Sequence, residues 1–320
     1  MPGLTYSTYV TQIAEMAVVD PTDTNFLTIL PMMIDYASLR ICRDLDLMFT
    51  SVSLHGTGYQ LTTGNRNLSF PQNFSDGSSF VVSEQINLIT PVGQSDPDAN
   101  NRIPLMPTTK EFLDAVYGSA LLANRGQPKY FVPFNETLFF VGPTPDASYY
   151  VEVVGCIRPA PLGYLPTVTS TSVIGTAGTI NFASAHGLTT GSLVSLGGFL
   201  PSYWNGTFIV TSYTSTSITV TLATASPVIA SGIGYAANTV GASFISQYLP
   251  DLLVMASMIY ISAYQRNFGK ESDDPQMAMS YETQYQLLLK SAGVEENRKK
   301  WDAAAWSSQS PATVATPTRG

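Results

Sequence analysis

The sequence is short of charge, cysteine and histidine. Asp, Glu, Lys and Arg make up 12% of its 320 residues, about half the usual share of a soluble domain. The 23 acidic residues outnumber the 15 basic ones, giving a net charge of -8, which opposes nucleic-acid binding through a basic face. The two cysteines, Cys42 and Cys156, exclude a disulfide scaffold. The two histidines, His55 and His186, are too few for an imidazole-based metal cluster.

Long hydrophobic runs are also missing. The longest uncharged apolar run near the C-terminus, from Leu252 to Gln265, has 14 residues, whereas a membrane span needs about 20. The first ten residues lack the basic start and apolar stretch of a signal peptide, so we expect neither a signal peptide nor a membrane partner. A hydrophobic content of 44% supports one large domain or two ordinary ones and excludes a disordered chain.

A neutral block interrupts the chain. The 92 residues from 159 to 250 contain no Asp, Glu, Lys or Arg. Within them, Ile218, Val220 and Leu222 alternate with threonines, the period of a half-buried strand, and Asn205-Gly206 is a strong hairpin signal. The block from 166 to 243 is therefore predicted to be an inserted all-β sandwich or barrel of five to seven short strands. Its uncharged surface either faces solvent or packs on neighbouring copies or partners.

The flanking segments show helical as well as strand patterns. Helices are predicted at Leu4–Val18, Phe26–Leu45 and Lys110–Tyr117, and two long helices are predicted after the block, starting near Leu249 and at Asp274-Pro275. Short strands are predicted at Phe80–Thr90, Lys129–Val132, Leu138–Val141 and Tyr149–Gly155. The expected fold class is α+β: a helical-bundle core with a long C-terminal helical hairpin and flanking β-strands, carrying the inserted β domain and an extended C-terminal arm. The expected domains are 1–165 with 244–306, then 166–243, then the arm 307–320.

The motifs of common chemistries are absent from the sequence. It has no Gly-x-Ser-x-Gly elbow, no P-loop, no Gly-x-Gly-x-x-Gly and no Cys-x-x-Cys. His186 has no carboxylate nearby in sequence and is expected to be a turn or core histidine, and His55 a surface residue. We expect Cys42 to be a small, buried apolar side chain. We therefore predict no enzyme, no cofactor and no metal, although a glycosidase-type carboxylate pair, which is set in space, stays open.

A basic and aromatic run lies near the C-terminus. Arg298, Lys299, Lys300 and Trp301 follow two glutamates, and Trp306 comes shortly after. A solvated helix face and a protein-docking patch are both consistent with this pattern. We predict that Arg298, Lys299, Lys300, Trp301 and Trp306 dock on a partner, with the tryptophans as apolar anchors.

Three clusters of residues together resemble one family. The first is the helical run from Leu30 to Leu47, which contains Arg40-Ile41-Cys42-Arg43-Asp44. The second is Gly126–Phe131 with Leu138–Pro145, Tyr149–Val154 and Arg158–Leu162. The third is Tyr248–Asp251, which opens a long helix, with Tyr281 and Tyr285 in the next helix. In this order and spacing they resemble the head-to-tail adaptor, or connector, proteins of tailed bacteriophages, particularly short-tailed ones. The sequence departs from that pattern at Ser38, where such proteins often have Glu, and in the insert after Leu162.

The resemblance implies a structural virion protein at the neck between capsid and tail. Such adaptors form a ring, generally of twelve copies, that joins the portal protein to the tail nozzle or tube. DNA passes through the lumen without specific binding, and the C-terminal arm reaches toward the portal. For the insert, which departs from the family pattern, we predict a position outside the ring, contacting tail fibres or neighbouring copies.

Two other functions fit the residues. The insert could be a glycan-binding module acting through Tyr203, Trp204 and Tyr213, or the chain could be a cell-wall-degrading tail component. The second alternative is a tail nozzle or tube subunit, which is also a ring. Contact with the portal separates that alternative from an adaptor.

Overall fold

The computed structural model describes residues 3–224, 228–231, 234–266 and 275–299. Within these ranges the chain forms six α-helices and fifteen β-strands. The helices are α1 (Tyr6–Ala17), α2 (Thr24–Asp44), α3 (Lys110–Tyr117), α4 (Phe244–Tyr248), α5 (Pro250–Arg266) and α6 (Pro275–Lys299). The strands before residue 160 are β1 (Ser51–Leu54), β2 (Gln60–Leu61), β3 (Asn67–Ser69), β4 (Ser79–Thr90), β5 (Asn101–Pro104), β6 (Met106–Pro107), β7 (Tyr130–Pro133), β8 (Leu138–Gly142) and β9 (Tyr149–Arg158). The later strands are β10 (Val168–Ile174), β11 (Ala177–Phe182), β12 (Leu193–Gly197), β13 (Gly206–Tyr213), β14 (Ser217–Thr221) and β15 (Tyr235–Asn238).

The helices α1, α2, α4, α5 and α6 share one hydrophobic cluster. Helix α1 begins where the Thr5 side chain accepts a hydrogen bond from the Thr8 N–H, and it ends at Val18, which adopts a left-handed conformation. Helix α5 lies against both α2 and α6. At its centre the Tyr9 hydroxyl donates a 2.6 Å hydrogen bond to Ser257 Oγ, a fully buried polar contact between α1 and α5.

Two sheets between residues 51 and 158 enclose a second, separate cluster. In one sheet the strand order is β1-β9-β4-β5, with β2 also paired to β9, and in the other it is β3-β8-β7-β6. Phe70 lies at the centre of this cluster, with its ring centroid 5.2 Å from that of Phe80 and 5.3 Å from that of Phe139. Among the residues that the structure describes, none from a helix belongs to this cluster.

The six later strands form a third sheet, in the order β10-β11-β14-β13-β12-β15, over a third cluster around Trp204. The chain enters and leaves this part at adjacent points, because the Asn238 N–H donates a 2.9 Å hydrogen bond to the Gly163 carbonyl. The departing segment then pairs with the start of α1, where the Tyr6 N–H donates to the Gly241 carbonyl. Tyr235 ties the sheet to α2 through its hydroxyl, which donates to the Leu27 carbonyl.

The predicted fold class is wrong. The described chain is β-rich, with three sheets, and it is not a helical-bundle core with a long C-terminal hairpin. The strands between Ser51 and Arg158 do not merely flank the helices, since they bury a cluster of their own. The alternation of apolar and polar residues that predicts a strand is weak here, because several of these strands are short or exposed. Strand β5, for example, is exposed at all four residues. Asp274, at the predicted start of the last helix, lies outside the described residues.

Individual helix predictions were closer to the structure. Helix α3 begins after the Thr109 cap and ends at Tyr117 as predicted. The last helix begins at Pro275, close to its predicted start, and continues through Gly293 to Lys299. None of the described helices has both the length and the apolarity required to cross a bilayer.

Candidate docking surfaces

The predicted docking residues begin in the last turn of α6. Arg298 is exposed there, but the charge of Lys299 is already paired, because its Nζ lies 3.2 Å from Glu295 Oε1 and 2.6 Å from Glu296 Oε1. The hydrogen bond to Glu296 is the main cause that raises the pKa of Lys299 above its ordinary value. Lys300, Trp301 and Trp306 lie outside the described residues.

Glu296 connects the end of α6 to the start of the first sheet. Its side chain is almost fully buried, and its Oε2 accepts a 3.2 Å hydrogen bond from the Met48 N–H. A buried carboxylate requires such partners, since a charge left unpaired away from water is costly. The end of α6 is therefore held beside the 3-10 turn Met48–Thr50.

A group of apolar side chains surrounds this turn. Met48, Phe49, Val81, Val82 and Tyr248 are each between 47% and 65% exposed. The Phe49 ring stacks on that of Phe244 at 4.2 Å between centroids, and the Tyr248 ring follows at 4.7 Å from Phe244. We name this surface the Phe49 face, and its residues are Met48, Phe49, Val81, Val82, Phe244 and Tyr248. Exposed apolar surface of this kind marks an interaction site more often than a free surface.

Two clefts flank the Phe49 face. One, of about 380 Å³, is lined by Phe49 and Phe244 and reaches the two chain segments that connect to the third sheet. The other, of about 240 Å³, is lined by Val81, Val82 and both cysteines. Ile157 lines both clefts.

A second apolar surface lies around α3. Met106, Phe112, Val116, Leu121 and Leu122 are all exposed, Leu122 to 78%. The ring of Phe112 packs on Tyr130, with 5.4 Å between centroids. We name these five residues the Leu122 patch. It lies in the region of the two sheets, so the chain offers separate apolar surfaces for more than one contact.

The residues considered for chemistry occupy structural positions. His186 is buried in a turn, where its Nδ1 accepts from the Leu188 N–H, while His55 is exposed as predicted. Burial raises the pKa of both thiols, Cys42 and Cys156, which leaves them protonated instead of nucleophilic. In the part of the chain that the structure describes, no group of three or more His, Cys, Asp or Glu side chains could hold a metal ion.

One buried carboxylate was missed by the sequence reasoning. Glu152, on β9, accepts hydrogen bonds from Ser53 Oγ at 2.6 Å, Asn87 Nδ2 at 2.9 Å and Arg102 Nε at 2.9 Å. Burial alone would raise the pKa of Glu152, but these three donors outweigh it and hold the pKa below its ordinary value. The signal was present in the sequence, since a lone Glu interrupts the apolar run from Tyr149 to Val154. The cluster fixes three neighbouring strands to β9.

The three aromatic residues suggested for glycan binding are not on one surface. Trp204 is fully buried and donates its Nε1–H to the Val228 carbonyl at 2.9 Å. The Tyr203 hydroxyl is engaged by the Val228 N–H, while Tyr213 is exposed at the end of β13. A sugar ring cannot stack on a buried indole, so this platform does not exist as predicted.

The described chain presents two exposed apolar surfaces, and comparison with known proteins identifies its class. A family model described as SU10 adaptor protein matches residues 4–174, more than half of the chain. The chain belongs to the SU10 adaptor protein family and is a phage adaptor structural protein. The resemblance read from the sequence is confirmed. Membership implies a virion component at the phage neck, in contact with portal and tail components. A comparison with curated proteins gave no match.

Proposed function

We propose that copies of this chain form a closed ring, with twelve as the expected number, that joins the portal vertex of the capsid to the tail. The observation that carries the proposal is the family match over residues 4–174. Two separate apolar surfaces, the Phe49 face and the Leu122 patch, support it, because a ring subunit needs one surface for each neighbour or partner.

The charge of the chain fits a DNA channel. A net charge of -8 per copy makes the whole ring acidic, and we propose that its lumen presents this charge to the phosphate backbone. Protein–DNA attachment depends on cations that displace counterions from the phosphates, and a lumen of like charge opposes it. The genome is thus expected to slide through the ring without specific binding.

Electron-microscopic images of the protein mixed with portal protein test this function. A discrete ring of high order on the portal is the expected result. A chain that stays monomeric with portal present, or that forms rings on purified tail nozzle but not on portal, would contradict the adaptor assignment.

The same proposal includes the contact with the portal. It assigns this contact to Arg298, Lys299, Lys300, Trp301 and Trp306. Because Lys299 is already paired with two glutamates, the two tryptophans are the expected anchors. A chain lacking residues 303–320 should lose portal binding while keeping its fold. Unchanged binding of that chain to the portal would refute the arm as the portal contact.

The neutral block is proposed as an inserted domain of residues 166–243 outside the ring, in contact with tail fibres or neighbouring copies. Its separate cluster and adjacent ends support this arrangement. Tyr235 and Ala237 also pack against the helical cluster, so the test replaces residues 167–234 by a short Gly-Ser linker and leaves those two in place. Ring formation should persist, and loss of folding of the whole chain would count against the proposal.

A further inference from the structure

The Phe49 face is an apolar surface that the described chain leaves uncovered. Five of its residues are about half exposed, and the Phe244 ring stacks on that of Phe49 and also contacts the tilted ring of Tyr248. Apolar surface of this kind favours association or aggregation unless something covers it. The position of α6 indicates that the segment following this helix can cover the Phe49 face.

Helix α6 ends directly beside this face. Glu296 accepts from the Met48 N–H, and Lys299 pairs with the same carboxylate. The chain continues for 21 residues after Lys299. At about 3.3 Å per extended residue, Trp301 is within about 7 Å of the end of α6. The Phe49 face therefore adjoins the point where this segment begins.

The composition of the segment complements the larger cleft. Residues 300–320 contain Trp301, Trp306, Pro311 and Pro317, with few charges. The cleft wall is formed by aromatic and proline side chains, namely Phe49, Pro159, Pro161, Tyr164 and Phe244. Such walls bind extended apolar and proline-containing segments through ring contacts.

The charges match as well. Asp76 is the one carboxylate among the residues that line this cleft, and it is exposed. Arg319 is the one cation among the last twenty residues of the chain. Arg319 follows Trp306 by 13 residues, which reach up to about 43 Å when extended. Because Phe49 and Asp76 line the same cleft, a segment with its tryptophans near these rings has the length to bring Arg319 toward Asp76.

We propose that in the free protein residues 300–320 fold back on the Phe49 face of their own chain, with Trp301 against the Phe49, Phe244 and Tyr248 rings. Attachment to α6 makes the contact intramolecular, which gives the segment a high effective concentration at this face and favours it over another chain in dilute solution. The segment and the Phe49 face then cover each other before assembly. A portal that binds the segment must first displace it from the face. The inference concerns the free chain and does not rest on ring formation.

Fluorine NMR of the full chain containing 5-fluorotryptophan tests the contact. The three resonances are assigned with the variants Trp301→Phe and Trp306→Phe. We expect the Trp301 resonance to be protected from the solvent-isotope shift, as that of buried Trp204 is. Phe244→Ala should abolish the protection of Trp301, and so should Tyr248→Ala, which changes an exposed side chain with little risk to folding. Leu122→Ala, an equally exposed apolar change on the other patch, is the matched control and should leave the protection intact.

Three results would overturn the proposal. The first is a Trp301 resonance with the full solvent shift of free tryptophan in the unaltered chain. The second is protection that disappears on dilution together with a dimer mass, which would assign the face to a second copy. The third is equal binding of the dye ANS by the full chain and by a chain that ends at Lys299. The shorter chain should bind more ANS, because nothing covers its Phe49 face.

Discussion

The guanidinium of Arg40 lies over the ring of Tyr285, 4.4 Å from the ring centroid. The same guanidinium pairs with Glu282 at 2.6 Å, and the Tyr285 hydroxyl donates to Asp44 at 2.8 Å. These contacts join α2 to α6 by chemistry that the 3.6-residue pattern alone does not show. Through them, the orientation of α6, and with it the start of the C-terminal segment, depends on side chains of the N-terminal region.

Arg40→Ala is expected to lower the free energy of unfolding by about 1–2 kcal/mol, because it removes a partly exposed ion pair and a cation–π contact. Urea unfolding followed by circular dichroism measures the change. Arg43→Ala is the matched control, since Arg43 is exposed on the same helix, and a change within about 0.5 kcal/mol is expected. Equal losses for the two variants would show that the contact with Tyr285 contributes nothing specific.

The buried Glu152 cluster predicts a dependence of stability on acid. The pKa of Glu152 is lowered in the folded protein, so its stabilising contribution is present above the unfolded-state pKa and is lost as the pH falls through the folded one. Glu152→Gln should therefore cost about 1–3 kcal/mol at neutral pH and flatten the fall in melting temperature below about pH 4.5. Glu136→Gln, at an exposed site, should leave the acid profile unchanged. An unaltered profile in the Glu152 variant would contradict this assignment.

Trp204 predicts how independently the third sheet unfolds. Trp204→Ala removes a fully buried indole, with an expected cost of about 3–5 kcal/mol. If residues 166–243 unfold as a unit of their own, calorimetry should show one transition shifted to lower temperature and the other unmoved. A single transition that shifts as a whole would contradict a separate domain.

The hydrogen bond from Tyr9 to Ser257 predicts a coupled pair. Tyr9→Phe leaves Ser257 Oγ with its own donated bond to the Leu253 carbonyl, so we expect a loss of about 1 kcal/mol. In a double-mutant cycle with Ser257→Ala, the two losses should not add, since both remove the same contact. Full additivity would show that the two hydroxyls do not interact.

The sequence predicted local elements better than their assembly. Helix α3 was predictable to the residue, because Thr109 caps it and its apolar residues repeat with the helical period. The two-sheet unit was not, because its register rests on pairing between distant segments, such as β1 with β9. Because the strand patterns are weak, the sequence did not indicate how much apolar surface these segments bury together.

The docking surfaces were predictable only in part. The basic run at 298–300 was visible, but Lys299 pairs with Glu296, a buried carboxylate that also accepts a hydrogen bond from the Met48 N–H, 248 residues earlier in the chain. The Phe49 face combines residues from three regions, 48–49, 81–82 and 244–248. No single stretch shows the periodicity that would have indicated it.

The chain enters and leaves the third sheet side by side, because the Asn238 N–H donates to the Gly163 carbonyl, and Tyr235 also ties the sheet to α2. Closing a loop whose ends already touch costs the host little entropy, whatever the loop contains. A foreign domain with neighbouring termini could therefore be grafted at this position to display a chosen cargo, while the surrounding helices and sandwich keep their shape.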